Sequence, residues 1–150
     1  MTRRLAALVV AGLVLTACGN SDSGGAVAAG PTTSAPPVDI ALVVDVTGAT
    51  GGPRNGSVTC RGSIASGTGT FLDNAAAAGV CASLLPDPEA KRRLTQGAAQ
   101  GAACTQQDGG PATAHVTGTF TGAAVDTTFS RKDGCAIGDW DHLVALLGPA

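Results

Sequence analysis

The chain has no tyrosine, one tryptophan, three phenylalanines and one methionine in 150 residues. A core built without aromatics must come mostly from Val, Leu and Ala; such a core is thin, and cross-links would help hold it. Charge is scarce as well, with nine Lys and Arg against eleven Asp and Glu and a net charge of −2. Phosphate binding needs clustered cations, and beyond Lys91-Arg92-Arg93 none appear, so no nucleic-acid partner is expected.

Enzyme signatures are also missing. There is no Gly-x-Ser-x-Gly elbow, and Gly67-Thr68-Gly69 lacks both the third glycine of a dinucleotide loop and a buried strand before it. Asp139 and Asp141 flank Trp140, but residues two apart on a helix do not face each other, so they read as a charged helix face rather than a catalytic pair. His115 falls on the outward side of a strand and His142 on the polar side of a helix, neither with a nucleophile to serve. No Cys-x-x-Cys pair occurs and neither histidine stands at ligand spacing from a cysteine, so no metal and no cofactor are expected. The chain reads as a non-enzyme.

What is present begins with an address. Arg3 and Arg4 precede an apolar run from Leu5 to Leu15, which is short for a bilayer span but suits the hydrophobic part of a secretory signal. It ends in Leu15-Thr16-Ala17-Cys18, which resembles the bacterial lipobox, in which the cysteine receives diacylglycerol. Residues 1–17 are therefore expected to be a lipoprotein signal peptide, with Cys18 lipidated and the protein extracytoplasmic and tethered to the membrane by that lipid. The competing reading is an ordinary secretory signal with a chance cysteine, which would leave the protein secreted. Setting Cys18 aside leaves an even set, Cys60, Cys81, Cys104 and Cys135, suited to disulfides in an oxidising compartment; four cysteines allow three pairings. Residues 18–37, rich in Ser, Gly, Ala, Thr and Pro, read as a flexible linker, and 38–150 as one domain.

Within that domain, Ile40, Leu42, Val44 and Val46 alternate with Ala41, Val43, Asp45 and Thr47, the period of a strand with one buried face. Gly51-Gly52-Pro53 and Asn55-Gly56 read as turns, and Ser57–Arg61 as the returning strand. After a Gly- and Ser-rich loop, Asp73 caps a helix with an apolar stripe of Ala77, Val80, Cys81 and Leu84, ended by Pro86. Pro88–Thr95 adds a short helical piece stopped by Gly97, with Lys91, Arg92 and Arg93 as its solvated face. Ala112, Ala114, Val116 and Phe120 alternate with polar residues, as do Val125, Thr127 and Phe129, which predicts a hairpin across Thr121-Gly122-Ala123. Asp133-Gly134 turns the chain, and Trp140, Leu143, Val144 and Leu147 form one face of a last helix. Strand pairs broken by helices favour an α+β fold, an antiparallel sheet with helices on one face.

Between the two halves lies Cys104-Thr105-Gln106-Gln107-Asp108-Gly109-Gly110, a short polar run beginning at a cysteine and ending where a strand begins at Pro111. Val58-Thr59-Cys60, Cys81-Ala82-Ser83-Leu84, Cys104, the hairpin Thr117-Gly118-Thr119-Phe120 with Thr127-Thr128-Phe129-Ser130, and Gly134-Cys135 together resemble the Streptomyces subtilisin inhibitor family. The likeness runs from about Ile40 to Leu147 and is carried above all by the order and spacing of the four cysteines. It implies an antiparallel sheet of about five strands packed with two α-helices, disulfides Cys60–Cys81 and Cys104–Cys135, and inhibition of an extracellular serine protease, subtilisin-like or trypsin-like. It also implies a homodimer through the exposed sheet face. Carried over by position, Gln106 would enter the protease's primary pocket and Gln106–Gln107 would be the scissile bond, within a reactive segment of Thr105, Gln106, Gln107 and Asp108.

The chain departs from the family where it matters most. Thr105 replaces the usual proline after the cysteine, neutral Gln106 the usual large or basic residue, and Asp108 a common aromatic, followed by the pliable Gly109-Gly110. An amide left unpaired in an apolar pocket would cost roughly 1 to 3 kcal/mol. Two functions therefore stand: a membrane-anchored serine protease inhibitor, and a non-inhibitory cell-envelope protein-binding module on the same scaffold.

Overall fold

A computed structural model describes residues 37–97 and 103–150. The expected signal segment, Cys18 and the linker up to residue 36 lie outside the described residues. In chain order the elements are β1 (Ile40–Thr47), β2 (Arg54–Arg61), β3 (Ile64–Gly69), α1 (Asn74–Leu84), α2 (Pro88–Gln96), β4 (Thr113–Phe120), β5 (Ala123–Phe129), α3 (Gly134–His142) and α4 (Val144–Leu147). The strands form one antiparallel sheet in the order β3-β2-β1-β4-β5. The fold is α+β, with disulfides Cys60–Cys81 and Cys104–Cys135. Among the described residues no helix is long and apolar enough to cross a membrane.

The period-two pattern of β1 sets the layering. Ile40, Leu42, Val44 and Val46 are buried, and register places Leu42 opposite Val58 and Val44 opposite Val116, so one face of the central strands is continuously apolar. The helices cover that face. Ala77, Val80, Cys81 and Leu84 are the buried residues of α1, as the three-and-four spacing predicts, and Asp73 accepts from the Ala76 N–H at its start. Ala90 and Leu94 are the buried residues of α2, which Asp87 caps and Gly97 ends. Trp140 is fully buried, with its indole N–H donating to the Gly148 carbonyl at 3.0 Å, so the single tryptophan enters the core with its polar atom satisfied.

Four local readings are corrected. Asn55-Gly56 is no turn: β2 begins at Arg54, and Gly56 lies opposite Val44 where a Cβ would meet Leu72 Cβ at 2.8 Å. The reversal lies earlier, at Gly48, Gly51 and Gly52, all at positive φ. The Gly- and Ser-rich loop is instead the edge strand β3, reached through a Gly62-Ser63 turn. Its glycine content has a steric cause, since a Cβ at Gly67 would stand 2.9 Å from Ala77 Cβ on α1. The β4–β5 turn is the residue pair Thr121-Gly122, both at positive φ, so Ala123 already belongs to the strand. Finally, the last helix breaks at Leu143: Leu143, Leu146 and Leu147 are buried while Val144 is 46% exposed. The break rotates Val144 out and Leu146 in.

Candidate reactive loop

The disulfide partner of Cys104 is Cys135, the second residue of α3, with the Cα atoms 5.3 Å apart. Asp133 caps that helix, its carboxylate accepting from the Ala136 N–H at 2.8 Å. The helix start therefore offers the loop a firm anchor. Gly134 is the first helical residue, and its N–H donates to the Thr105 carbonyl at 3.0 Å. A Cβ there would collide with Thr105 Oγ1, so glycine allows the close approach without a change of the Thr105 rotamer. The far end of the loop is held likewise: the Gly109 N–H donates to the Arg131 carbonyl at 2.7 Å, and Arg131 Nε donates back to the Gly109 carbonyl at 3.2 Å.

Two backbone bonds thus set Thr105 opposite Gly134 and Gly109 opposite Arg131, with the chain segments running antiparallel. The loop takes four steps between rungs where the opposing segment takes three, as the residue numbers show. The extra residue gives the middle of the loop slack to stand away from the segment it faces. Thr105, Gln106, Gln107 and Asp108 are all exposed, whereas Cys104, Gly109 and Gly110 are half-buried. Asp108 turns back, its Oδ1 accepting from the Gly110 N–H at 2.8 Å in a turn that its short carboxylate favours. Gly110 itself is at φ 101°, outside the range an L side chain readily adopts.

Arg131 is oriented in turn. Nη1 bonds Asp141 Oδ1 at 2.8 Å, and the guanidinium carbon lies 6.0 Å from the centre of the Trp140 ring. Between loop, helices and chain end runs an open cleft of about 440 Å³ lined in part by Gly109, Gly110, Pro111, Arg131, Trp140 and Val144. The sulfurs of Cys104 and Cys135 and an Asp133 oxygen lie within 4.8 Å of one another. That grouping is not a metal site, because the sulfurs are bonded to each other and the carboxylate caps α3.

Of the sequence-predicted residues, Cys18 lies outside the described residues and Cys60–Cys81 is a separate disulfide in the core, whereas Thr105, Gln106, Gln107 and Asp108 form one exposed run beside Cys104–Cys135. Arg131, Gly109 and Gly134 were not foreseen as their supports, since nothing local marks an arginine whose partner lies 22 residues away. The reading of Asp139 and Asp141 as a charged helix face is half right. They do point apart, but Asp139 is buried and pairs with Arg93 of α2, which also reaches Glu89 at 2.9 Å. Arg93 is consequently not part of a solvated face, its side chain being 19% exposed. Arg92 stays on the rim, bonding Glu89 in two places and holding that carboxyl down to about 2. Each histidine has an acidic neighbour, His115 with Asp126 and His142 with Asp87, both at 2.8 Å.

No protein-family model matches the chain and no curated protein matches it.

Proposed function

We propose that the protein is an extracytoplasmic inhibitor of serine endopeptidases of the subtilisin-inhibitor kind, held at the membrane by lipid on Cys18. The observation that carries this reading is the outward-bulged segment Thr105–Asp108, fixed before the scissile bond by Cys104–Cys135 and the Gly134 N–H, and after it by the Gly109–Arg131 pair. A segment held in this way has already lost much of the freedom that a flexible peptide gives up on docking, so more of the contact energy is retained as affinity. The exposed run supplies the centre of an interface, and its neighbours supply the rest of the roughly 1,600 Å² that a standard protease–inhibitor contact buries.

In this role the protease serine attacks the Gln106 carbonyl, and Gln106 occupies the primary pocket. Its amide needs hydrogen-bonding partners there, so a polar pocket is favoured over a purely apolar one. A panel of serine proteases incubated with the purified protein tests the reading through residual activity: stoichiometric loss of activity for at least one member is expected. Indifference of every member would contradict it. The anchor is tested separately, since Cys18→Ser is expected to release the protein from the membrane fraction.

A second reading is favoured by one feature, the Asp108 side chain closing on the Gly110 N–H immediately after the reactive bond. That turn suits a rigid binding edge for another cell-envelope protein without requiring a protease. A homodimer through the outer sheet face, where Val43 is 47% exposed among threonines and serines, is compatible with either function.

A further inference from the structure

The two sides of the loop are anchored by unlike means. Before Gln106 the chain is tied covalently through Cys104–Cys135, with the Gly134 N–H bond to the Thr105 carbonyl beside it. After Gln107 the ties are hydrogen bonds, and they converge on a single residue: the Arg131 carbonyl accepts from the Gly109 N–H and the Arg131 Nε donates to the Gly109 carbonyl. We propose that Arg131 is a positioning residue that holds the segment after the scissile bond, and so keeps the Gln107 amine beside the Gln106 carbonyl once the bond between them is cut. The proposal rests on the inhibitor reading and adds to it the group that makes cleavage reversible.

The chemistry shows why this side matters. The protease serine oxygen adds to the Gln106 carbonyl, the C–N bond breaks, and Gln107 leaves as an amine that takes up the proton, with Gln106 held as an ester on the serine. Water attacking that ester releases the Gln106 carboxylate and ends inhibition. The Gln107 amine attacking the same ester restores the peptide bond and frees the serine. Which nucleophile prevails depends on how close the amine stays.

Arg131 is built to keep it close. Its guanidinium has a second partner in Asp141 and lies over Trp140, which is 1% exposed, so the clamp is seated on the core rather than on a mobile side chain. The Arg131 side chain is itself only 17% exposed. Gly109 fits because it has no Cβ; one would lie 2.8 Å from Ile137 Cγ1 and 3.1 Å from Arg131 Cβ. Without the clamp the freed arm would run from Gln107 to about Ala112, where β4 takes over, a reach of roughly 20 Å at about 3.3 Å per residue. With Gly109 held, only Gln107 and Asp108 are free, a reach of roughly 7 Å. The volume swept by the amine falls about twentyfold, and its effective concentration at the ester rises by the same order.

The test compares Arg131→Met, which keeps the aliphatic stem over Trp140 but donates nothing, with Arg131→Lys and Asp141→Asn in the purified protein. Amide hydrogen exchange needs no protease: Arg131→Met keeps the backbone carbonyl that accepts from the Gly109 N–H but removes the Nε–H bond to the Gly109 carbonyl. Local opening of this end becomes easier by about the scale of that lost charge-assisted bond, and the Gly109 N–H is expected to exchange up to about tenfold faster, while the Gly134 N–H changes by less than about twofold. Asp141→Asn, which frees the guanidinium without removing it, is expected to give a smaller change in the same direction, and Arg131→Lys to restore part of the protection. With an inhibited protease, Arg131→Met is expected to raise turnover at Gln106–Gln107 about tenfold and to leave the association rate within about threefold. Unchanged exchange at Gly109, or equal acceleration at Gly134, overturns the clamp. Failure of the wild-type protein to inhibit any protease strikes the inhibitor reading instead, and the contrast between Gly109 and Gly134 still decides whether Arg131 holds the loop.

Discussion

The Gly109 N–H and the Arg131 carbonyl meet at 2.7 Å across the mouth of the loop, and at the other rung the Gly134 N–H meets the Thr105 carbonyl at 3.0 Å. The exposed run between them, Thr105 to Asp108, is carried on these two backbone bonds together with the Cys104–Cys135 disulfide and the Arg131 Nε bond to the Gly109 carbonyl, and of its own side chains Asp108 adds a bond to the Gly110 N–H. Substitutions on the supporting side should therefore alter the loop more than substitutions within it.

Gly109→Ala tests that support directly. The φ of Gly109 is not in the left-handed region, so the added methyl acts through its contacts, chiefly the one at 2.8 Å with Ile137 Cγ1. A cost of about 1–3 kcal/mol in denaturant unfolding is expected. Adding Ile137→Ala makes room for the methyl, so the double variant should be less unstable than the sum of the two singles. Strict additivity would mean that the contact does not limit the loop.

The two disulfides should separate in their effects. Cys60–Cys81 and Cys104–Cys135 close separations of 21 and 31 residues, and the loop-entropy relation gives each about 3–4 kcal/mol. Replacing either pair by alanines should lower stability by a comparable amount. Loss of Cys104–Cys135 should in addition convert any slow nicking at Gln106–Gln107 into rapid cutting, which mass spectrometry of the digest would read. Equal protease resistance of the two variants would count against the pinned loop.

Acid should weaken the α2 surface in a defined window. Arg92 lowers the Glu89 carboxyl from its ordinary 4.5 to about 2, first through the side-chain hydrogen bond between them. Because the folded value lies below the unfolded one, the contribution is fully present above pH 4.5 and is lost as pH falls from there through about 2. Asp87 shifts in the same direction, principally because the Ala90 N–H donates to it. Both carboxylates face solvent, so the effect is modest. Glu89→Gln should be less stable than the parent above that window and should lose less of its stability across it; parallel pH profiles would refute the assignment.

Arg93 and Asp139 should behave as a coupled pair. Their side chains are 19% and 11% exposed, and each holds the other where solvent cannot fully compensate. Removing one partner, by Asp139→Leu or Arg93→Met, is expected to cost about 2–4 kcal/mol, and removing both clearly less than the sum. A double-mutant cycle read by urea denaturation measures the difference.

How much of this was legible beforehand depends on whether the signal was local. The alternation in Ile40–Thr47 and the stripe Ala77, Val80, Cys81 and Leu84 are periodicities within one element, and both faces were read as they stand. The edge strand β3 was hidden because Gly67 and Gly69, which read as loop residues, let the strand approach α1 and β2. The burial of Asp139 was hidden for another reason: helical spacing does place it away from Asp141, but its partner Arg93 lies on α2, and no spacing rule reaches across that gap. The exposed run Thr105–Asp108 could be picked out by its polarity beside a cysteine. Its supports could not, since Arg131 becomes part of the site only when β5 and α3 bring it against Gly109.

The most direct measurement incubates the protein with a panel of serine proteases and follows residual activity and the position of cleavage in the same mixture. The account predicts near-stoichiometric inhibition with slow cutting confined to Gln106–Gln107, leaving intact and nicked forms together at equilibrium. Fast cutting at that bond without inhibition, or inhibition unaffected by changes at Gln106, would contradict it.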